Sequence, residues 1–240
     1  MQTMDMARRL WIAGAAAVLP IAATFDVQAQ VTDIALMCDL TLGPAMRRAA
    51  SAYRTATGVR VHVFPSAPGL IVPMLSHEVQ IDIVATRIAT LDQGDRAGLL
   101  APGSRAGTWR TPLVVAEGAG AGTSDKFAVS ELPSASGIDA QTAIARLGID
   151  PKRIVSAIDT EEVAFLLTTG AARSGLLYLT DTKADPRLIV VQTLADPPPA
   201  VFATALAKES GRPNPGGFTS FLGSAAGRTL LGSQGLEYVT

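Results

Sequence analysis

The stretch Ile34-Ala35-Leu36-Met37-Cys38-Asp39-Leu40-Thr41 decides the fold of this chain. An unbroken apolar run stops at Asp39, and beyond Thr41 apolar side chains return at helical spacing. They are Leu42, Met46, Ala49, Ala50 and Tyr53, with Arg47, Arg48 and Arg54 off that face. The pattern is a buried strand whose C-terminal end opens directly onto a helix N-terminus. In an α/β protein ligands sit at such a junction, because unpaired N–H groups and the positive end of a helix dipole meet there.

Working outward, the next residues repeat the same unit. Gly58 is suited to end the helix. Val59 to Phe64 alternates as a half-buried strand does. Pro65-Ser66-Ala67-Pro68-Gly69 forms a loop before a short helix around residues 70–76. Ile81-Asp82-Ile83-Val84-Ala85 is the next strand, ending at Thr86 and Arg87. Connections of this length suit parallel strands. Pro112 to Ala116 is a further strand, and Gly118 to Gly122 a flexible turn.

A second α/β block follows. Strands are expected over 126–130, 154–158, 175–179, 188–191 and 201–206. Helices are expected over 136–147, ended by Gly148, and over 161–169, ended by Gly170. The tail, 215–235, reads as two helices, with Phe218, Phe221 and Leu222 on the first and Leu230 and Leu231 on the second; Gly227 either separates them or packs closely. These elements predict a two-lobed α/β protein, each lobe a mainly parallel sheet flanked by helices, with a ligand cleft between the lobes. Lobe 1 is expected over 30–112 plus 203–240, and lobe 2 over 113–202.

The 240 residues are 48% hydrophobic and 17% charged, with a formal net charge of −1. That balance belongs to a globular chain and shows no basic footprint for nucleic acid. The single cysteine excludes an intramolecular disulfide. Residues 1–29 read as an export signal: Arg8-Arg9 are the positive segment, Leu10 to Ala23 the apolar segment, and Val27-Gln28-Ala29 the small-residue cleavage site. The choice between a general and a twin-arginine export route stays open. The mature protein is expected in the periplasm.

The order of these pieces resembles the periplasmic substrate-binding proteins of ABC importers, and among them the molybdate-binding branch. Leu40-Thr41 after the first strand is similar to that family's first ligand loop, and Phe64-Pro65-Ser66-Ala67 to its second. Ile81 to Ala85 resembles its A-D-hydrophobic strand, Glu161-Glu162-Val163 its E-D-V helix start, and Gly175-Leu176-Leu177-Tyr178 its G-I-V-Y strand. The stretch from Phe218 to Tyr238 resembles its closing helices. The resemblance implies a type II periplasmic-binding fold, a small-molecule or ion ligand, an ABC permease partner in the inner membrane, no cofactor and no catalysis. It implies a monomer that captures solute by hinge closure. Ligand-binding residues are then Asp39, Thr41, Ser66, Ala67, Val163 and Tyr178.

Two of these depart from the family pattern. Asp39 and Ala67 stand where the family presents serine hydroxyls to an oxyanion, and the family's Gly-Asp-Pro stretch is replaced around Ser130-Glu131-Leu132-Pro133. A carboxylate ~4 Å from an oxyanion, at an effective dielectric of ~20, repels it by ~4 kcal/mol. That is roughly a thousandfold in affinity. The scaffold is therefore expected without tight molybdate binding. Retained molybdate or tungstate binding, with Asp39 acting only as a helix cap, is the alternative. A periplasmic sensor or scaffold module is the alternative of another class.

Other polar residues have plainer readings. Tyr178 suits a core tyrosine as well as a site, and Ser66 suits turn chemistry. Arg87, just past a strand end, reads as a solvated charge before a ligand clamp. Cys38 reads as a buried, inert cysteine, since nothing places His62 beside it as a base. His62 and His77 lack metal-ligand spacing. No nucleophile elbow, P-loop or dinucleotide fingerprint is present, so no enzyme is expected.

Overall fold

Asp39 closes the first strand as its sequence requires, and the chain turns directly into a helix. The computed structural model describes residues 33–77, 80–120, 122–132, 134–210 and 214–239. The expected export signal, 1–29, lies outside the described residues. In chain order the elements are β1 (Ile34–Asp39), a 3-10 turn (Leu40–Leu42), α1 (Gly43–Thr57), β2 (Val61–Ser66), α2 (Pro68–Ser76), β3 (Ile83–Arg87) and α3 (Ile88–Arg96). Then come β4 (Ala106–Thr111), β5 (Leu113–Gly118), β6 (Phe127–Ser130), α4 (Ala135–Leu147), β7 (Ile154–Ala157) and α5 (Thr160–Thr168). The chain continues through β8 (Ser174–Tyr178), α6 (Leu179–Ala184), β9 (Leu188–Thr193), β10 (Ala200–Leu206), α7 (Gly216–Gly223), α8 (Ala225–Ser233) and β11 (Glu237–Tyr238).

Local chemistry explains the boundaries. Gly58 and Gly148 end α1 and α4 in the left-handed region, at φ 77° and 62°. Pro68 opens α2 at a position where a missing N–H costs nothing. Ser134 caps α4 through Gly137 N–H, and Asp159 caps α5 through Glu162 N–H. Gly227 lies inside the first turn of α8, against the Phe221 and Leu222 carbonyls; the break between the last two helices is Ser224, which caps α8.

The strands form two sheets, in the orders β11-β4-β10-β3-β1-β2 and β7-β6-β8-β5-β9. Strand β1 pairs in parallel with both β2 and β3, as does β6 with both β7 and β8. The remaining pairings are antiparallel, so each sheet is mixed where the sequence pointed to mainly parallel. The cause is the way the chain changes sheet. Strands β4 and β10 are antiparallel neighbours in the first sheet, and β5 and β9, which continue them, are antiparallel neighbours in the second. One two-stranded ribbon thus runs through both sheets, crossing at Pro112 and at 194–199. This is the two-lobed periplasmic-binding-protein architecture.

Packing follows strand alternation. On one face of the first sheet Leu36, Cys38, Ile83, Trp109 and Phe202 meet Met46 and Tyr53 of α1 and Phe218 and Leu222 of α7. The tail helices therefore return to the first sheet, where the Tyr53 ring stands edge-on to Phe218 at 5.3 Å. On the other face Met37, Val84 and Ala205 meet Ile71 of α2 and Leu91 of α3. In the second sheet Val114, Ala128 and Leu177 bury Val163 and Leu167 of α5. No helix among the described residues is long and apolar enough to cross a membrane.

Candidate functional site in the cleft between the sheets

Parallel strands deliver their C-terminal ends to one edge of a sheet, so the polar residues at those ends share a place. In the first sheet they are Asp39 (β1), Ser66 (β2), and Thr86 and Arg87 (β3). In the second they are Ser130 (β6) and Tyr178 (β8). Cys38 is in register with Ala85, and Asp39 with Ser66, so Ser66, Asp39 and Thr86 form one row on one face of β2-β1-β3. Arg87, one residue on, points to the opposite face beside Phe202, its partner in β10.

Asp39 is 3% exposed. Its Oδ1 accepts the Thr41 N–H at 3.1 Å, while its Oδ2 has no hydrogen-bond partner. Burial holds the carboxyl above the usual carboxylate range, and the positive charge of Arg87 opposes that shift. Thr41 is buried beside it. The backbone donor that an oxyanion would seek at this junction is already occupied by the protein's own carboxylate.

Arg87 crosses from the first sheet to the second. Its Nη2 donates to Asp139 Oδ2 of α4 at 3.1 Å and to the Tyr178 hydroxyl, and Tyr178 Oη donates to Asp139 Oδ2 at 2.6 Å. The guanidinium also lies 5.4 Å and 5.7 Å from the Tyr178 and Phe202 ring centres. With side chains of both Arg87 and Asp139 only 19% exposed, this ion pair is largely shielded from water. Arg87 is therefore not the solvated charge its place in the sequence pointed to: β3 ends facing the other sheet, where no water shell is available. Burial raises the Tyr178 phenol well above its ordinary value, which keeps it a neutral donor to Asp139.

On the far wall, Asp181 of α6 accepts the Tyr178 N–H at 2.9 Å. Burial, with the charges of Asp39 and Glu161 adding to it, pushes the Asp181 carboxyl up to about 7. Asp181 lines a pocket of about 280 Å³ together with Leu40 and Pro44 from the first lobe and Glu161 and Phe165 from α5.

The other expected ligand residues fall as follows. Ser66 makes only loose contacts, 3.5 Å to the Ala67 carbonyl and 3.6 Å to Met74 Sδ. Ala67 precedes α2, and its carbonyl accepts the Leu70 N–H at 2.9 Å. Val163 is fully buried under the second sheet, and its N–H goes to the Asp159 carbonyl at 3.1 Å inside α5. Tyr178 stands at the cleft, held by Arg87 and Asp139. Asp139 and Asp181 were not singled out in sequence. Asp139 carries no local signal, lying in mid-helix, whereas Asp181, three residues after a strand end, occupies a recognisable helix-start position. Cys38 is buried with its thiol raised by burial, and the ring of His62 pairs instead with Asp33 at 2.8 Å.

A cleft walled by two strand-end clusters, joined by an antiparallel ribbon, defines a two-lobed solute-binding architecture. The family model for bacterial extracellular solute-binding proteins matches residues 34–237, and the chain belongs to that family. Solved structures share the fold. The periplasmic molybdate-binding protein of Azotobacter vinelandii superposes with a TM-score of 0.73 at 18% identity, over 87% of this chain and 99% of that one. A Clostridium difficile substrate-binding domain, described as that of a molybdenum ABC transporter, gives 0.69 at 21% identity over 87% and 99%. The sulfate-binding protein SubI of Mycobacterium tuberculosis gives 0.64 at 15% identity over 87% of each chain. No curated protein matches the chain in sequence.

Proposed function

We propose that this protein captures a small solute in the periplasm, closes its two lobes over it, and delivers it as a monomer to an inner-membrane ABC permease. The moving bodies are the first sheet (β1 to β4, β10 and β11) and the second (β5 to β9) with their helices, and the hinge is the ribbon at Pro112 and 194–199. Two slender crossings permit rotation of this kind at little cost in packing. Ligand is held by Asp39, Thr41, Ser66 and Ala67 from one side and by Tyr178 and the start of α5 around Val163 from the other, with Arg87 added to the set.

The ligand is not a tightly held molybdate. One observation carries this reading: Asp39 Oδ1 sits on the Thr41 N–H, where an oxyanion would have to sit, and brings a negative charge with it. Asp139 already neutralises the Arg87 cation that would otherwise attract an oxyanion. Calorimetry with molybdate, tungstate and sulfate tests the reading. Wild type is expected to give no submicromolar affinity for any of them, and Asp39→Ser to gain oxyanion affinity by a factor of ten or more. Submicromolar molybdate binding by wild type would overturn it.

Oxyanion binding has a specific observation in its favour as well. Asp39 does cap the 3-10 turn that leads into α1, whose own N-cap position is Leu42, and Arg87 offers a cation nearby. Asp39 turned wholly to capping would leave Arg87 to attract the anion; the same titration separates the two, because this reading requires Asp39→Ser to change little.

A further inference from the structure

The cleft leaves particular polar atoms without partners among the described residues. Thr86 Oγ1, Ser130 Oγ and Thr180 Oγ1 are buried hydroxyls that can donate or accept, and Arg87 Nε is a buried donor. Asp39 Oδ2 is the buried carboxylate oxygen of the set. The Arg87 guanidinium is met directly by Asp139 at 3.1 Å, whereas Asp39 forms no ion pair among the described residues. A buried carboxylate oxygen without a partner is costly, and a site that keeps one is shaped for a ligand that donates to it.

Among the described residues no three His, Cys, Asp or Glu side chains are grouped to hold a metal ion. Resting on the solute-binding reading above, we propose that the cleft selects a small solute carrying a hydrogen-bonding organic cation, an ammonium or amidinium head. That head would donate to Asp39 Oδ2, with the Thr86 hydroxyl next to it in the same row.

The experiment is a thermal-shift screen followed by calorimetry on the mature chain, using glycine, ethanolamine, putrescine and guanidinium against molybdate, sulfate and glucose. At least one cationic probe is expected to raise Tm. Asp39→Asn, which keeps an acceptor for Thr41 but removes the charge, should weaken that probe at least tenfold. The proposal is overturned if no cationic probe shifts Tm, or if Asp39→Asn binds the probe as well as wild type. X-ray scattering distinguishes the two levels of failure. An anionic or neutral solute that contracts the protein removes only the cationic class, whereas no contraction with any of the seven removes the solute-binding reading too.

Discussion

Asp181 illustrates how a carboxyl in this cleft couples folding to pH. Its value rises from 3.8 in the unfolded chain to about 7 in the folded one, so the folded state binds the proton more tightly. Stability is therefore favoured at low pH and lost as pH climbs from 3.8 through about 7. Asp181→Asn retains an acceptor for the Tyr178 N–H while removing the charge. It should match wild type near pH 4 and exceed it at pH 8 by a margin on the order of a few kcal/mol. Urea unfolding at the two pH values measures the difference; a margin independent of pH would show that burial does not govern this group. Asp39 shifts in the same direction, but it also caps. Asp39→Ala should lose about 1 kcal/mol of that cap relative to Asp39→Asn, read from the same unfolding curves. The carboxylate at position 39 was legible in sequence as the polar residue closing a strand before a helical pattern. What Oδ2 faces was not, since Thr86, Arg87 and Asp181 come from other elements.

The link between lobes belongs to the scale of elements, since β3, β8 and α4 each contribute one member. Arg87, Tyr178 and Asp139 form a charge-assisted, largely dry triad, in which hydrogen bonds are stronger than neutral exposed ones. A double-mutant cycle of Arg87→Met with Asp139→Asn should give a coupling energy of about 1–3 kcal/mol. Additive effects would mean that the pair is held apart in solution. Strand β4 has its own requirement. Gly107 lies at φ 60°, and a Cβ there would overlap the Trp109 ring. Gly107→Ala should lose about 2 kcal/mol or more and shift Trp109 emission, both seen in one fluorescence-detected unfolding experiment. The sequence foretold β1, α1, β2 and the glycine-ended helices, whose signals are local. It assigned no element to α3, β4 or β11. Strand β4 mixes Gly107, Thr108 and Arg110 with a single buried Trp109, and α3 contains Gly94, so neither shows a clear period; β11 is two residues long and exists only because β4 offers it an edge.

At the scale of the whole molecule, the ribbon that carries β4 into β5 and β10 out of β9 is the part through which the proposed closure would pass. Trp109 lies three residues before Pro112, buried, with its Nε1 lacking a partner and the Tyr238 ring edge-on at 6.1 Å. Any solute that contracts the protein in scattering measurements should also change Trp109 fluorescence. Contraction with an unchanged spectrum would place the hinge elsewhere, at 194–199. By itself the sequence determined the strands and helices with local signals, β1, α1, β2 and the glycine-ended helices among them, that strand ends would carry the polar residues, and that position 39 is a carboxylate; these depend on periodicity, capping and residue identity, which are local. Only the tertiary structure decided that the sheets are mixed, that Arg87 is drawn out of water to Asp139 fifty-two residues away, and that Asp39 keeps one oxygen unpartnered. Those outcomes depend on which elements pack against one another, and the energy that fixes them, desolvation and the pairing of buried charges, does not exist until the chain has folded.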